Sequence, residues 1–127
     1  MNTTWVTMAT VLLGFALPAA AGALDECQTA GDRAAVTRCL VDADAEVQAS
    51  LRNAEAAAGI RAREIDTAVG RPGANAALAK SMRAFTEYRT VQCDYIKALY
   101  AGGSGTEQAV LGCRVDLTRR RVRELQP

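Results

Sequence analysis

Residues 93–113 read CDYIKALYAGGSGTEQAVLGC, and this stretch decides the fold of the chain. Cys93 and Cys113 each lie ten residues from Gly103, the centre of a glycine-rich turn. In an antiparallel helical hairpin, residues equidistant from the turn lie side by side, and a disulfide requires Cα atoms roughly 4.4–6.8 Å apart. The spacing therefore predicts a Cys93–Cys113 disulfide between two helices, which leaves Cys27 to pair with Cys39.

Helical spacing of apolar residues extends the hairpin in both directions from this turn. The helix before the turn is predicted over about residues 75–100, and the helix after it runs to about Leu125. Ser104 and Glu107 form an S-x-x-E capping box, which predicts the start of the later helix. The apolar stripe of the earlier helix comprises Leu78, Met82, Phe85, Arg89, Cys93, Ile96 and Tyr100.

A longer amphipathic helix precedes the hairpin. Asp32 is a suitable N-cap, and apolar residues recur at helical spacing from Val36 to Val69, so the helix should hold roughly 30 residues. Residues 70–73, Gly-Arg-Pro-Gly, end it, whereas residues 24–31 are predicted to be an irregular lead-in. The predicted fold is all-α: a small disulfide-stapled antiparallel bundle of three to four helices over residues 24–127.

Residues 1–23 have the pattern of a secretory signal peptide. An uncharged apolar run spans residues 5–17, Pro18 ends it, and small residues follow in an A-x-A arrangement. We expect cleavage after Ala23, with Ala21 as the alternative. The run is shorter than the ~20 residues of a transmembrane helix, and the acidic residues before Cys27 argue against a lipoprotein site. The mature protein should be soluble, and periplasmic or secreted.

The cysteine and histidine counts exclude much catalytic and metal chemistry. All four cysteines follow the predicted cleavage site, none form a C-x-x-C pair, and the chain has no histidine. An even number of cysteines in an exported protein favours disulfides over a metal site. Without histidine there is no Ser-His-Asp triad and no H-E-x-x-H motif. We therefore predict a non-enzymatic protein with no catalytic residues, no bound metal and no cofactor.

Three segments in the second half of the chain carry a family resemblance. They are Tyr88-Arg89-x-x-x-Cys93, Gly102-Gly103-Ser104 and Cys113-x-x-x-Leu117-Thr118-x-x-Arg121-x-x-x-Leu125. These segments resemble the N-terminal domain family of the lysozyme inhibitor LprI, a group of small exported helical bacterial proteins. Met82 and Phe85 stand where the family usually has Gln and Trp, which indicates a divergent member. The resemblance implies an all-helical domain and a protein partner such as a lysozyme-type hydrolase.

Two groups of residues are candidates for contacting such a partner. A glycine-rich tip on a cross-linked hairpin is preorganised, so it loses little entropy on binding. A basic lysozyme would also favour an acidic surface on its inhibitor. The ordinary structural roles of these residues are a helix connection and a solvated helix face. The candidates are Gly102, Gly103 and Ser104 at the tip, and Asp42, Asp44 and Glu46 on the long helix.

Arginines supply a structural prediction and an alternative function. Arg89 lies on an apolar stripe, and a buried guanidinium needs a partner, so we expect a structural ion pair with Asp44, or otherwise Asp116. The last helix is rich in arginine, which could bind anionic wall or membrane components as a non-catalytic envelope module. Nucleic acid is not an expected partner, because no aromatic residues interleave the arginines. These arginines are Arg114, Arg119, Arg120, Arg121 and Arg123.

Overall fold

A computed structural model describes residues 22–127, which form helices and turns with no strand among them. The helices are α1 (Ala23–Cys27), α2 (Arg33–Val69), α3 (Ala74–Leu99) and α4 (Thr106–Glu124), with a short 3₁₀ turn at Gln28–Ala30. The predicted all-α class is confirmed. Most of the predicted signal segment lies outside the described residues, which include only its last two positions, Gly22 and Ala23.

Helix α2 has the predicted ends, after Asp32 and before Gly70; its 37 residues exceed the roughly 30 expected and span about 55 Å at 1.5 Å per residue. Asp32 caps it as predicted, since its carboxylate accepts a hydrogen bond from the Ala35 N–H at 2.8 Å. At the other end Gly70 adopts a left-handed conformation with φ +67°, which glycine tolerates without a steric penalty. With about ten turns, against three to four in an average helix, α2 is the longest of the described helices, and α1, α3 and α4 pack along it.

Asp66, near the end of α2, connects this helix to the start of α3. Its carboxylate accepts hydrogen bonds from the backbone N–H groups of Gly73, Ala74 and Asn75 at 3.0, 2.7 and 3.1 Å. These N–H groups have no partners within their own helix, so the carboxylate supplies what a local cap would otherwise provide. The same bonds, with those of Asn75 and Ala74 contributing most, lower the pKa of Asp66.

Helices α2 and α4 run parallel, and α3 runs antiparallel to both. Near the starts of α2 and α4, the Gln108 side chain donates to the Arg33 carbonyl and to the Thr37 hydroxyl. Near their far ends, the Arg61 guanidinium donates to the carbonyl of Leu125. The main core lies between α1, α2 and α4, and its buried residues are Ala23, Cys27, Val36, Leu40, Val47 and Val115.

Both predicted disulfides are confirmed. The Cα atoms are 5.8 Å apart in Cys93–Cys113 and 5.7 Å apart in Cys27–Cys39. The first cross-links α3 to α4 at equal distances from their turn, and the second joins α1 to the start of α2. Cys93 is the one buried residue of α3, so the disulfide is a major part of the attachment of this helix.

Two local predictions were wrong. The segment 24–31 is not irregular, because Ala23 and Cys27 lie four residues apart on one helical face and both are buried. One turn is too short for this periodicity to be visible in the sequence. The predicted capping box of Ser104 and Glu107 is absent. The Gly103 carbonyl instead accepts hydrogen bonds from the N–H and the hydroxyl of Thr106, and α4 begins at Thr106.

Candidate binding surfaces

The turn between α3 and α4 forms an exposed tip with a defined backbone. Ala101 and Gly102 both have positive φ, at +45° and +74°, and all of residues 101–104 are exposed. The Gly103 N–H donates to the Tyr100 carbonyl at 2.8 Å. A Cβ added at Gly103 would lie 3.1 Å from that same oxygen, which leaves little room for a side chain. The predicted tip residues are therefore solvent-accessible, and the disulfide below them anchors both arms.

A row of exposed apolar residues runs along α3 toward this tip. Tyr88, Val91, Tyr95 and Leu99 follow helical spacing on one face, and each is between 48% and 60% exposed. Tyr100, at the end of the neighbouring stripe and 46% exposed, borders this row at the turn. We call these five residues the tyrosine face. Tyrosine is enriched where proteins contact one another, because it combines a large apolar ring with a hydrogen-bonding group.

The tyrosine face was missed in the sequence because α3 carries two apolar stripes. The stripe through Phe85 and Cys93 was correctly assigned to the interior, although Tyr100 at its end is largely exposed. The second stripe lies beside the first on the helix surface, and its residues remain exposed while those of the first stripe pack against the core. Its spacing of three and four residues from Tyr88 onward was the available signal.

A groove between α3 and α4 opens beside the tyrosine face. Tyr88, Gln92, Ile96 and Tyr100 line it from α3, and residues that include Gly112, Asp116 and Arg120 line it from α4. Leu24 of α1 also borders the groove. The lining combines apolar side chains with a few polar groups, a composition typical of recognition sites.

The three predicted acidic residues do not form one site. Asp44 faces α4, where its carboxylate binds Arg114 at 2.8 Å, and its side chain is only 14% exposed. Asp42 is exposed on a different side of α2. Glu46 borders a shallow groove that also contains Arg119 and Arg123. Asp44 is therefore occupied by an internal ion pair, which leaves Asp42 and Glu46 as the accessible members of the set.

The predicted ion pair between Arg89 and Asp44 is wrong. The Arg89 guanidinium donates from Nη1 to the hydroxyl of Thr118 at 3.0 Å, and its carbon lies 5.4 Å from the Phe85 ring centroid. Thr118 is fully buried. A hydroxyl and an aromatic face can satisfy a guanidinium without a carboxylate. Asp116, the other predicted partner, instead accepts a hydrogen bond from the N–H of Ala23.

Intramolecular contacts engage most of the arginines on α4. Arg114 binds Asp44, and Arg119 binds both carboxylate oxygens of Glu26 at 2.9 and 3.0 Å. Arg121 is mostly buried: it donates to Ser81 at 2.7 Å and lies against the Phe85 ring at 5.7 Å. Its guanidinium also pairs with Glu124 at 3.4 Å. These contacts compete with any external anion for the same guanidinium groups.

A model of the lysozyme inhibitor LprI family matches residues 24–125. The chain belongs to the lysozyme inhibitor LprI family. An uncharacterized protein of Rhizobium meliloti (strain 1021) is a curated relative, 38% identical over 85 residues that cover 66% of this chain and 61% of the relative. The chain thus aligns with less than two thirds of that relative's length. No solved structure matches the chain.

The residues that carry the LprI resemblance divide into an interior group and an exposed group. Arg89, Thr118 and Arg121 meet around Phe85 between α3 and α4, and Cys93 forms the staple beside them. The Gly102–Ser104 segment is exposed at the tip. The interior residues hold the hairpin together, whereas the tip residues are free to meet a partner.

Two further features of residues 22–127 concern metal binding and membrane insertion. No group of three or more cysteine and carboxylate side chains is arranged to hold a metal ion in this part of the chain. None of the described helices combines the length and the apolar character that a membrane span requires.

Proposed function

We propose that this protein is an exported binding protein that inhibits a lysozyme-type hydrolase through the tip of its α3–α4 hairpin. The observation that carries the proposal is the exposed Gly102–Ser104 tip above the Cys93–Cys113 cross-link. Membership of a family named for lysozyme inhibition supports the choice of partner. The protein acts by occupying a surface of the enzyme, with no chemistry of its own.

Preorganisation is the physical advantage of this tip. A disulfide joins the two arms at equal heights, and a backbone hydrogen bond closes the turn at Gly103. A loop that already holds its bound shape loses less conformational entropy on association. A narrow tip with no bulky side chain on residues 102–104 can enter a concave substrate cleft that a broad helix face cannot.

The tyrosine face extends the proposed contact beyond the tip. Tyr95 and Leu99 lie on the last two turns of α3, and Tyr100 follows them next to the tip; all three are about half exposed or more. Burial of such rings at an interface contributes affinity, at roughly 25 cal/mol per Å² of apolar surface removed from water. Asp42 and Glu46 serve as secondary contacts, and they favour association with a basic enzyme by electrostatic attraction.

We also propose that the protein is exported, which the two disulfides support. Disulfides persist in oxidising compartments such as the bacterial periplasm and the extracellular medium. The apolar N-terminal segment supplies the leader, and its cleavage releases the helical domain on the outer side of the inner membrane. In this location the protein would meet hydrolases that reach the cell wall.

The test is a turbidity assay of animal lysozyme on bacterial cells, with the oxidised mature protein in excess. The parent protein should slow lysis. Ser104→Trp places a bulky ring on the tip and should weaken inhibition about tenfold or more, without loss of stability. Asn53→Trp introduces the same ring at an exposed position of α2 and is the matched control. Unchanged lysis with the parent protein would overturn the proposal.

A second comparison separates the tip from the envelope alternative. Sedimentation with anionic vesicles at low and high salt measures binding through the arginines of α4. We expect little binding, because Arg114, Arg119 and Arg121 are engaged within the protein. Strong, salt-sensitive sedimentation that is lost in Arg120→Ala/Arg123→Ala would instead favour the envelope module.

A further inference from the structure

We infer that the exported protein begins at Gly22, because Gly22 and Ala23 are integral parts of the folded domain. The inference rests on the export proposed above. The sequence offers two A-x-A sites, which end at Ala21 and at Ala23. Cleavage after Ala23 is the site favoured by the sequence pattern alone, and it would remove both residues. The structure favours the earlier site.

Ala23 is a core residue. Its exposed fraction is 0%, and it belongs to the same buried cluster as Leu40 and Val115. Its backbone N–H donates to Oδ1 of Asp116 on α4 at 2.9 Å. Removal of this residue would leave a hole between α1, α2 and α4 and would take the hydrogen-bond donor from Asp116.

Gly22 has a structural role of its own at the start of α1. Its carbonyl accepts the hydrogen bond from the Glu26 N–H at 3.0 Å, which closes the first turn of the helix. A Cβ added at Gly22 would lie 2.8 Å from Oδ2 of Asp116, closer than Cβ atoms approach other atoms in proteins. A side chain at this position would therefore have to displace the Asp116 carboxylate from its place beside the start of α1.

Cleavage at this position also produces a favourable charge pair. Water adds across the Ala21–Gly22 amide, which gives a carboxylate on Ala21 in the released leader and an ammonium on Gly22 in the mature chain. The Gly22 nitrogen and the Cβ position considered above are both bonded to the Gly22 Cα. Since that Cβ position lies 2.8 Å from Oδ2 of Asp116, the nitrogen lies within about 5 Å of the same oxygen. Opposite charges at this separation attract, most strongly where water is partly excluded. The Asp116 carboxylate would thus bind the charged N-terminus of the mature protein.

The direct test is to express the full chain in a bacterium, recover the periplasmic fraction, and determine its intact mass and N-terminal sequence. A first residue of Gly22 is the expected result. A start at Leu24, or at any residue other than Gly22, overturns this inference and leaves the proposed export intact. An uncleaved chain retained in the cytoplasm overturns both proposals, so the two failures are distinguishable.

A stability comparison supplies a second readout that does not depend on the export machinery. Chains starting at Gly22 and at Leu24 are released from fusion proteins by a protease that leaves no extra residue, and both are oxidised. The Leu24 chain should melt about 5 °C or more below the Gly22 chain. Asp116→Asn should also lower the melting temperature of the Gly22 chain, whereas Asp94→Asn, at an exposed carboxylate of α3, should not. Equal melting temperatures for the Gly22 and Leu24 chains would overturn the inference.

Discussion

Loss of the Cys93–Cys113 disulfide should release α3 from the bundle more than it disturbs α2 or α4. Cys93 is the one residue of α3 classed as buried, while α2 contributes six such residues. The bridge closes a loop with a sequence separation of 20 residues, for which the chain-entropy relation gives about 3.3 kcal/mol. This is a large fraction of the 5–15 kcal/mol typical of small domains.

The Cys27–Cys39 bridge provides the internal comparison. Its sequence separation is 12 residues, and the same relation gives about 2.8 kcal/mol. Cys93→Ala/Cys113→Ala and Cys27→Ala/Cys39→Ala should therefore lose similar free energies of unfolding in urea. Their local effects should differ, because the first bridge holds α3 and the second holds α1.

Amide hydrogen exchange distinguishes these two effects. In Cys93→Ala/Cys113→Ala, exchange should accelerate mainly over residues 74–99, whereas in Cys27→Ala/Cys39→Ala it should accelerate over α1 and the start of α2. A loss below about 1 kcal/mol for the first variant would contradict the entropic argument. Uniform acceleration across the whole chain would contradict the proposed dependence of α3 on its staple.

Three further predictions concern the caps, the core and the ion pairs. The pKa of Asp66 is lowered in the folded protein, so its contribution to stability is present above the unfolded pKa and is lost as pH falls through the lower folded value. In Asp66→Asn, the free energy of unfolding measured in urea should therefore depend less on pH in the acid range. Leu40→Ala, at a fully buried site, should cost about 2–5 kcal/mol in thermal unfolding, against about 0.5 kcal/mol or less for exposed Val41→Ala. A double-mutant cycle on Asp44 and Arg114 should give a coupling energy of about 1 kcal/mol.

Each of these predictions has a result that would contradict it. An acid limb unchanged in Asp66→Asn would mean that the three N–H bonds do not stabilise the native state. Equal losses of unfolding free energy in Leu40→Ala and Val41→Ala would mean that Leu40 is not part of the core. The pair of Arg119 and Glu26, whose carboxylate is more exposed, is the control for the cycle. An equally strong coupling energy in that pair would show that the burial of Asp44 does not strengthen its ion pair with Arg114.

The hairpin could be predicted from the sequence because its information is local and redundant. Two cysteines at equal distances from Gly103, with a glycine-rich turn between them, leave few alternative arrangements. The long helix was also predictable from apolar periodicity and the Asp32 cap. Both of its predicted ends, the Asp32 cap and the break at Gly70, match the structure. The sequence did not reveal the bonds that Asp66 makes across the turn to α3, since these depend on how the two helices meet.

The features that were mispredicted depend on tertiary contacts. Helix α1 exists because Ala23 and Cys27 pack against α2 and α4, and a single turn carries no periodic signal. The partner of Arg89 was assigned by charge, whereas the structure supplies the hydroxyl of Thr118 and the ring of Phe85. Charge alone could not identify the partners of Arg89, because the carboxylate of Asp44 is already paired with Arg114.

The positions of the family-matching residues separate fold from target recognition. Arg89, Thr118 and Arg121 lie inside the α3–α4 hairpin, where Arg89 binds Thr118 and both guanidinium groups lie against the Phe85 ring. Substitutions there would reduce inhibition only through loss of the folded hairpin, and the melting temperature would fall in parallel. Substitutions at the exposed tip, such as Ser104, would change inhibition at constant melting temperature. The interior residues thus account for how this hairpin is built, and under the proposed function the choice of hydrolase would depend on the tip and the tyrosine face.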